Sequence, residues 1–245
     1  MNVRYFKYEF LRLFRNKRFF FFSLAFPLLL FICIGAANRT TTIDFGNLKL
    51  RFILVYMVAM AGYGAMIAAI GGGGRIASER AAGWNRQLRL TPLPPSTYFT
   101  AKILTSYVMS LLSIVVLFAA GLLFGVHAEA GRIGYMVGLI LIGLLPLIAL
   151  GVLIGHLLTP DSIGPALGGG AGFLAFVGGM WFPLQSGSTL EKIGELFPSY
   201  WIAQAARVGV GASGWPPKGW LVVAAWTVAL SAAAARAYQR DTKRV

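Results

Sequence analysis

Apolar stretches of about 20 residues recur along the chain, separated by short polar or charged segments. A helix needs about 20 predominantly apolar residues to cross the hydrocarbon core of a bilayer. The last stretch is the shortest, but the basic side chains that flank it can reach toward the headgroups and extend it. Six stretches qualify: 19–37, 52–74, 103–126, 133–158, 162–184 and 219–235. The pattern predicts an all-α membrane protein, a single domain over 1–245 with six transmembrane helices.

The first 18 residues show the pattern of an amphipathic helix. Val3, Phe6 and Phe10 fall on one stripe at helical spacing, and basic residues lie largely opposite. These basic residues include Arg4, Lys7, Arg12 and Arg15. We expect an interface helix over 1–18 that lies along the membrane surface. The alternative is that the basic residues only set the topology and make no defined contact.

The segment 188–210, between the fifth and sixth stretches, is too polar to span a bilayer and too apolar for a free loop. Ser188 followed by Glu191 matches a capping box, which predicts a short helix that ends before Pro198. A second short helix is expected after it, with Trp201 and Ile202 on one face. Two broken helices that re-enter the membrane from the outer side fit this composition, and the alternative is a helix lying flat at the interface.

Glycine is concentrated in two places, GGGG at 71–74 and GPALGGGAG at 164–172. Small residues let transmembrane helices approach one another closely, although such spacing is common in apolar sequence. Four consecutive glycines at the end of the second stretch predict a helix end or a hinge.

Charge sets the expected orientation. The chain carries 22 Lys and Arg against 8 Asp and Glu, and only 12% of its residues are charged. The basic residues lie at the ends of apolar stretches, which fits lipid headgroups and topology control and not a nucleic-acid surface. Fifteen of the 22 fall in the N-terminal segment, after the second stretch and in the C-terminal tail. We therefore predict that both termini are cytoplasmic.

The sequence lacks the motifs that an enzyme or an ion-driven pump would need. It has no GxxxxGK[ST] motif, and 2 His with 1 Cys cannot build a conventional structural zinc site. No apolar stretch carries an ionisable residue near its centre, as an ion-driven carrier usually requires. We expect no catalytic residue, metal or cofactor in this chain and an energy source outside it. A secondary carrier is the alternative, and a lipid-modifying membrane enzyme is a less favoured one.

The segment 75–97 concentrates charge and proline in an otherwise apolar chain. Residues 78–96 read SERAAGWNRQLRLTPLPPS. Each charged side chain would cost about 2.5 to 3.5 kcal/mol at the bilayer centre, so the segment must lie in water or against another protein. A short helix with Trp84 and Leu88 available for contact, and prolines fixing its exit, would suit docking to a partner. The alternative is a plain loop whose charges only enforce topology.

The pattern ER..G....L..TPL....Y...K, from Glu79 to Lys102, resembles the cytoplasmic segment between the second and third spans of ABC-2 type transporter permeases. The resemblance extends over nearly the whole chain: the basic N-terminal helix, six spans, and a broken segment containing FPSYW. One departure is Trp84 with Asn85, where many relatives carry a small or hydroxyl residue and an acidic one.

The resemblance implies a coupling helix that docks on a separate ATP-binding subunit. Two permease chains, identical or related, would pair with two ATPase chains, which bind the ATP and Mg. Glu79 would pair with Arg12 or Arg15 of the interface helix, and pairing with the nearby Arg75 or Arg80 is the alternative. The implied coupling residues are Glu79, Arg80, Gly83, Trp84, Arg86, Leu88, Thr91, Pro92 and Leu93.

The resemblance also implies export across a bacterial cytoplasmic (inner) membrane. Phenylalanines in the first stretch, beside the small residues of the fifth, could line an apolar path for a hydrophobic or amphipathic compound such as a drug, an antibiotic or a lipid-like molecule. The same rings could face lipid. The candidate path residues are Phe22, Phe26, Phe31, Gly168 and Gly172.

Overall fold

The computed structural model describes residues 8, 16–45, 48–83 and 95–243, which form a helical bundle with one small hairpin. The helical segment α1 covers 17–36 and alternates α-helical turns with π-helical turns at Phe21–Ala25 and Phe31–Ala36. The other elements are β1 (Thr42–Phe45), β2 (Leu48–Arg51), α2 (Phe52–Ala81), α3 (Pro95–Leu123), α4 (Ala130–Gly143), α5 (Leu145–Leu157), α6 (Pro160–Val177), α7 (Thr189–Gly194), α8 (Pro198–Gln204), a 3₁₀ turn (Ala205–Val210) and α9 (Pro217–Lys243).

Within the described residues, 4 helices are long and apolar enough to cross a membrane: Phe52–Ala81, Thr97–Leu123, Ala130–Leu157 and Pro217–Asp241. They correspond to the second, third, fourth and sixth predicted spans. The first predicted span is a shorter apolar helix, Phe21–Ala36. The fifth overlaps α6, whose 18 residues start with Pro160 and Asp161 and include exposed glycines at 164 and 168–170. A helical, multi-pass membrane protein is therefore confirmed, and the number six stays a prediction.

Helix α2 is the centre of the bundle. In its most apolar window 94% of the residues are buried, against 17% in that of α9. It packs against α1, α3, α5, α6 and α8, while α9 packs mainly along α5. Helix α2 therefore contacts most of the other described helices, so a displacement of α2 would require its neighbours to shift.

The four glycines 71–74 do not end a helix, because α2 runs through them to Ala81; the predicted helix end is therefore wrong, and the alternative of a hinge stays a prediction. Each glycine is instead a contact point with a different element. A Cβ would lie 2.5 Å from the Phe19 ring at Gly71, 2.6 Å from the Ser106 hydroxyl at Gly72, 2.1 Å from the Gly151 carbonyl oxygen at Gly73 and 3.2 Å from Ile163 at Gly74. Glycine is needed here because four neighbours approach one helix turn from different sides.

Two predicted spans differ from the observed helices because of local backbone chemistry. The fifth span was predicted to reach residue 184, but α6 ends at Val177. Gly179 has a φ of +67°, and the amides of Gly179 and Met180 donate to the carbonyls of Phe176 and Ala175, which is the Schellman ending of a helix. The fourth span is interrupted at Leu144, because Pro146 cannot donate the next helical hydrogen bond.

The sequence-based account contained no strand, whereas 42–51 holds an antiparallel hairpin. Thr42 pairs with Arg51 and Ile43 with Leu50. The sequence offered a cue, since four consecutive β-branched residues, 40–43, come shortly before Gly46 and Asn47, a pair typical of hairpin turns. The hairpin lies at the same end of the bundle as the loop after α3, since Arg51 donates to the Gly125 carbonyl at 3.4 Å.

Candidate functional site

The charged segment begins and ends at two helices that touch directly. Glu79 and Arg80 belong to the last turns of α2, and Tyr98 and Lys102 lie one turn apart on the first turns of α3. The connection between the helices is thus 82–94, shorter than the predicted 75–97, and its residues 84–94 lie outside the described residues. The structure describes the residues on both sides of the connection, up to Gly83 and from Pro95 onward.

Glu79 is the centre of a buried polar cluster at this base. Its carboxylate accepts a hydrogen bond from Lys102 Nζ at 2.6 Å and from the Tyr98 hydroxyl at 2.8 Å. Lys102 Nζ also lies 5.2 Å from the centre of the Tyr98 ring. The Glu79 and Lys102 side chains are only 3% and 1% exposed. The two ends of the connection are therefore tied to each other by an ion pair that water does not reach.

Burial makes this ion pair sensitive to the loss of either partner. A buried ion pair contributes little net stability compared with apolar residues of the same volume, but removing one of its two partners costs about 3 to 5 kcal/mol. The geometry therefore holds the ends of α2 and α3 together.

A seam of buried hydroxyl groups continues from Lys102 along the face of α3 that meets α1 and α2. Thr105 accepts from Arg75 Nη2 at 3.2 Å, and Ser110 donates to the Ala65 carbonyl at 2.9 Å. Ser113 donates to the Ser23 carbonyl at 2.9 Å, inside the first π-helical turn of α1. Hydroxyl groups that bond across helices hold membrane helices together at close range. The seam links the charged end to the middle of the bundle.

Arg80, the residue next to Glu79, contacts different helices. Its guanidinium forms a two-pronged pair with Asp241 of α9, with Nε–Oδ2 at 2.5 Å and Nη2–Oδ1 at 2.8 Å. Its Nη1 donates to the Gly155 carbonyl of α5 at 3.0 Å. His156 Nδ1 lies 2.9 Å from the same Asp241 carboxylate. Neighbouring residues of α2 therefore connect its end to α3 on one side and to α5 and α9 on the other.

Gly83 completes the end of α2. Its φ of +69° lies in the left-handed region, and its amide donates to the Arg80 carbonyl at 3.0 Å. An L-residue is strained in this conformation, so glycine fits the position where the helix stops and the connection begins. The other predicted coupling residues lie outside the described residues: Trp84, Arg86, Leu88, Thr91, Pro92 and Leu93.

The predicted interface helix cannot be compared with this cluster. Arg4, Lys7, Arg12 and Arg15 lie outside the described residues, so the pairing of Glu79 with that helix stays a prediction. Arg80 was one of the two nearby arginines considered as alternative partners of Glu79, and it pairs with the Asp241 carboxylate.

The candidate path residues are placed in three settings. Phe22 is exposed and contacts Phe26, whose ring centre lies 6.3 Å from that of Tyr63. The Tyr63 ring lies 5.7 Å from that of Trp181, and Trp181 reaches the position next to Gly172. A row of aromatic rings thus joins the two predicted groups across α2. Gly168 is exposed, whereas Phe31 is fully buried against Phe124 and belongs to the core.

The opposite end of the bundle contains the predicted broken helices. The Glu191 amide donates to Ser188 Oγ at 3.1 Å, as the capping box requires, and the Glu191 carboxylate accepts from the Gly187 amide and the Tyr200 hydroxyl. Burial, reinforced by the Glu191 charge, raises the pKa of the Tyr200 phenol above its ordinary value, so it remains a donor.

Helix α8 is buried between spanning helices. A Cβ at Gly62 of α2 or Gly143 of α4 would lie 2.5 Å from Ile202. Gly62 is ten residues past the start of α2, or about 15 Å along its axis. The side chains of α8 therefore pack well inside the bundle, in the manner expected of a re-entrant segment whose depth in a bilayer stays a prediction.

Some residues of the site were missed at the sequence level. Tyr98 and Lys102 were part of the recognised pattern but were not named as site residues, although their i, i+4 spacing places them on one helix face. Asp241 and His156 were also missed. The sequence offered one sign of Asp241: it lies inside the basic tail and is the only Asp or Glu after Glu195.

Comparisons with known proteins agree on one family. Residues 38–236 match the family described as ABC-2 family transporter protein. The chain is 32% identical over 200 residues to a protein of Bacillus subtilis (strain 168) that bears the provisional name transport permease YvfS, covering 81% of this chain and 80% of that protein. No solved structure matches the chain significantly.

Proposed function

We propose, because the chain belongs to the ABC-2 family of transporter proteins, that it is the permease subunit of an exporter driven by a separate ATP-binding cassette ATPase. The chain itself is a transport permease and a multi-pass membrane protein. The proposal adds the energy source, the point at which work enters, and the class of compound carried.

One observation supports the entry point above all: the buried ion pair of Glu79 and Lys102 at the base of the connection 82–94. A loop that only set topology would need no buried pair at its base, and an exposed pair would contribute at most about 1 kcal/mol. Because the pair joins both ends of the connection, a push on the connection moves the ends of α2 and α3 together.

In the proposed mechanism, two permease chains sit on two ATPase chains, which bind ATP and Mg. Closure of the ATPases displaces the connection, and Glu79 and Lys102 pass that displacement to α2 and α3. The packed glycines 71–74 leave little slack between α2 and its neighbours, so the movement reaches α1, α5 and α6. Transport results when these helices change their separation from the second permease chain.

A hydrophobic or amphipathic compound is the proposed cargo. The aromatic row from Phe22 and Phe26 through Tyr63 to Trp181 gives the protomer a chain of apolar rings that starts at an exposed surface. Rings of this kind bind apolar bodies and tolerate varied shapes. The exposed Gly168, with open space around it, would leave room beside that row.

We place the protein in the bacterial inner membrane with both termini in the cytoplasm. The described ends of α2, α3, α5 and α9 that carry Arg80, Lys102, His156 and Asp241 meet at one end of the bundle, where positive charge predominates. In a background lacking Cys33, single cysteines introduced at positions 8 and 240 should be modified by a membrane-impermeant maleimide only after the membrane is opened.

The proposal is tested by expressing the tagged permease with the ATP-binding cassette protein encoded nearest to it. We expect the two chains to co-purify and, in inverted membrane vesicles, to accumulate a fluorescent amphipathic cation only when ATP is supplied. Accumulation driven by an ion gradient without ATP, or by the permease without any ATPase, would favour the secondary carrier and overturn the proposal.

A further inference from the structure

Helix α9 continues beyond its apolar part, and its end is fixed to three other helices. Asp241 lies near the last turn, about a quarter exposed. It is the only acidic residue of the sequence after Glu195, and it is surrounded in the sequence by basic residues. Its carboxylate faces inward to Arg80 and His156, although the basic residues beside it in the sequence are closer along the chain.

Asp241 holds Arg80 in a defined position. Both carboxylate oxygens face the guanidinium, at 2.5 Å and 2.8 Å, which fixes the plane of the Arg80 side chain. The third guanidinium nitrogen, Nη1, then points to the Gly155 carbonyl at 3.0 Å. His156, whose side chain is 1% exposed, approaches the same carboxylate from α5. One carboxylate therefore orders contacts from α2 and α5.

Aromatic side chains support the same point. Tyr238, one turn before Asp241, has its ring centre 4.7 Å from Phe99 of α3 and 5.6 Å from His156. Phe99 is also next to Tyr98, a partner of Glu79. The ends of α2, α3, α5 and α9 thus meet in one contiguous group of side chains.

We propose that Asp241 is a positioning residue of the coupling end: through Arg80 and His156 it transmits the displacement of the α2 end to α5 and α9, in parallel with the transmission to α3 by Glu79. The inference rests on the proposed function. It assigns to the C-terminal end of α9, which is otherwise the least buried spanning helix, a part in coupling that the connection 82–94 alone does not provide.

A merely structural role makes a different prediction. The pair is partly exposed, so its loss should alter stability modestly, and a destabilised complex would lose transport and ATP hydrolysis in proportion. A positioning role instead changes the amount of compound transported per ATP hydrolysed. That ratio is independent of how much complex has assembled.

The test uses the full complex reconstituted in liposomes, with transport of the amphipathic cation and phosphate release measured together. Asp241→Asn keeps the shape and removes the charge, and we expect the ratio to fall about threefold to thirtyfold. Asp241→Glu restores the charge on a longer stem, and its ratio should lie between the two. Arg240→Gln changes an exposed neighbour on the same helix and should keep the native ratio.

Each outcome decides the matter. If the unmodified complex transports without ATP, the proposed function fails and this inference falls with it. If the unmodified complex is ATP-driven and Asp241→Asn has the same ratio, only this inference is overturned. If Asp241→Asn does not accumulate in the membrane, Asp241→Glu decides, and a native ratio in that variant overturns the inference.

Discussion

At the end of the bundle that carries the connection 82–94, α2 is joined to α3 and α9 by ion pairs, and His156 of α5 forms a hydrogen bond with Asp241 of α9. At the opposite end, the short helices α7 and α8 are held by a helix cap, by tryptophan hydrogen bonds to the carbonyls of Glu195 and Leu196, by close packing around Ile202, and by a partly exposed ion pair of Lys218 with Glu195. Both ends are ordered, but among the described residues the fully buried ion pair lies at the first end, and the pair at the opposite end is partly exposed.

The difference bears on what each end can do. Ion pairs between separate helices keep their ends together while the bundle changes shape, since each long side chain can follow its partner. Caps and packed rings fix one arrangement and resist change. Under the proposed function, the first end receives movement and the second holds its shape, and single substitutions can probe that contrast.

The largest effect is expected for Lys102→Met, which removes the buried ammonium group that bonds the Glu79 carboxylate. We expect a stability loss of about 3 to 5 kcal/mol, measured as a lowered Tm in detergent. The double variant Glu79→Gln/Lys102→Met removes both charges and should recover most of that loss while remaining uncoupled from ATP hydrolysis. A single variant as stable as the native chain would show that this end does not depend on the pair.

Between the two ends, Gly73→Ala should be the most damaging of three matched glycine changes. Its Cβ would meet the backbone of Gly151, which can yield only if α2 and α5 separate, at about 1 to 3 kcal/mol. Gly72→Ala meets a rotatable Ser106 hydroxyl, and Gly74→Ala a methyl group of Ile163 at 3.2 Å. Equal Tm losses for the three variants would contradict this account of the packing.

A smaller effect is expected for Ser188→Ala at the opposite end. The change removes the cap of α7 and should cost about 1 kcal/mol, again measured as Tm in detergent. Ser188→Thr retains a capping hydroxyl and serves as the control. Because this end is not expected to transmit movement, transport per ATP should stay native in both variants. A change in that ratio would remove the distinction between the ends.

The smallest effect is expected for Glu129→Gln, which breaks an ion pair between two exposed side chains, Arg132 and Glu129 at 3.2 Å. Exposed pairs contribute about 0 to 1 kcal/mol, and salt screens them. Tm should be unchanged at moderate salt. A loss as large as that of Lys102→Met would mean that burial is not what distinguishes the two pairs.

The apolar pattern predicted the four candidate spans of the described residues, and the spacing of Ser188 and Glu191 predicted the cap, because hydrophobic length and capping are local properties. It failed at the glycines 71–74, because a run of glycines looks the same in the sequence whether it ends a helix or allows a neighbouring helix to approach. Only the contacts with Phe19, Ser106, Gly151 and Ile163 decide between the two.

The candidate site was predictable as a segment but not as a set of contacts. The pattern from Glu79 to Lys102 marked the right stretch, and its charges and prolines indicated a water-facing connection. The partners of Glu79 and Arg80 depend on which helices pass beside α2. Asp241, for example, lies 161 residues after Arg80 in the sequence. Pairs of this kind follow from the packing of the bundle and not from local spacing.

Glu79, at the base of the connection, is proposed as the residue through which movement of the ATPases reaches the permease. The most direct test measures ATP hydrolysis by the reconstituted complex with and without the transported compound, in native protein and in Glu79→Ala and Gly83→Pro variants. The account predicts that the native complex is stimulated and that both variants still insert beside the ATPase but show no stimulation. Native stimulation in both variants would contradict it.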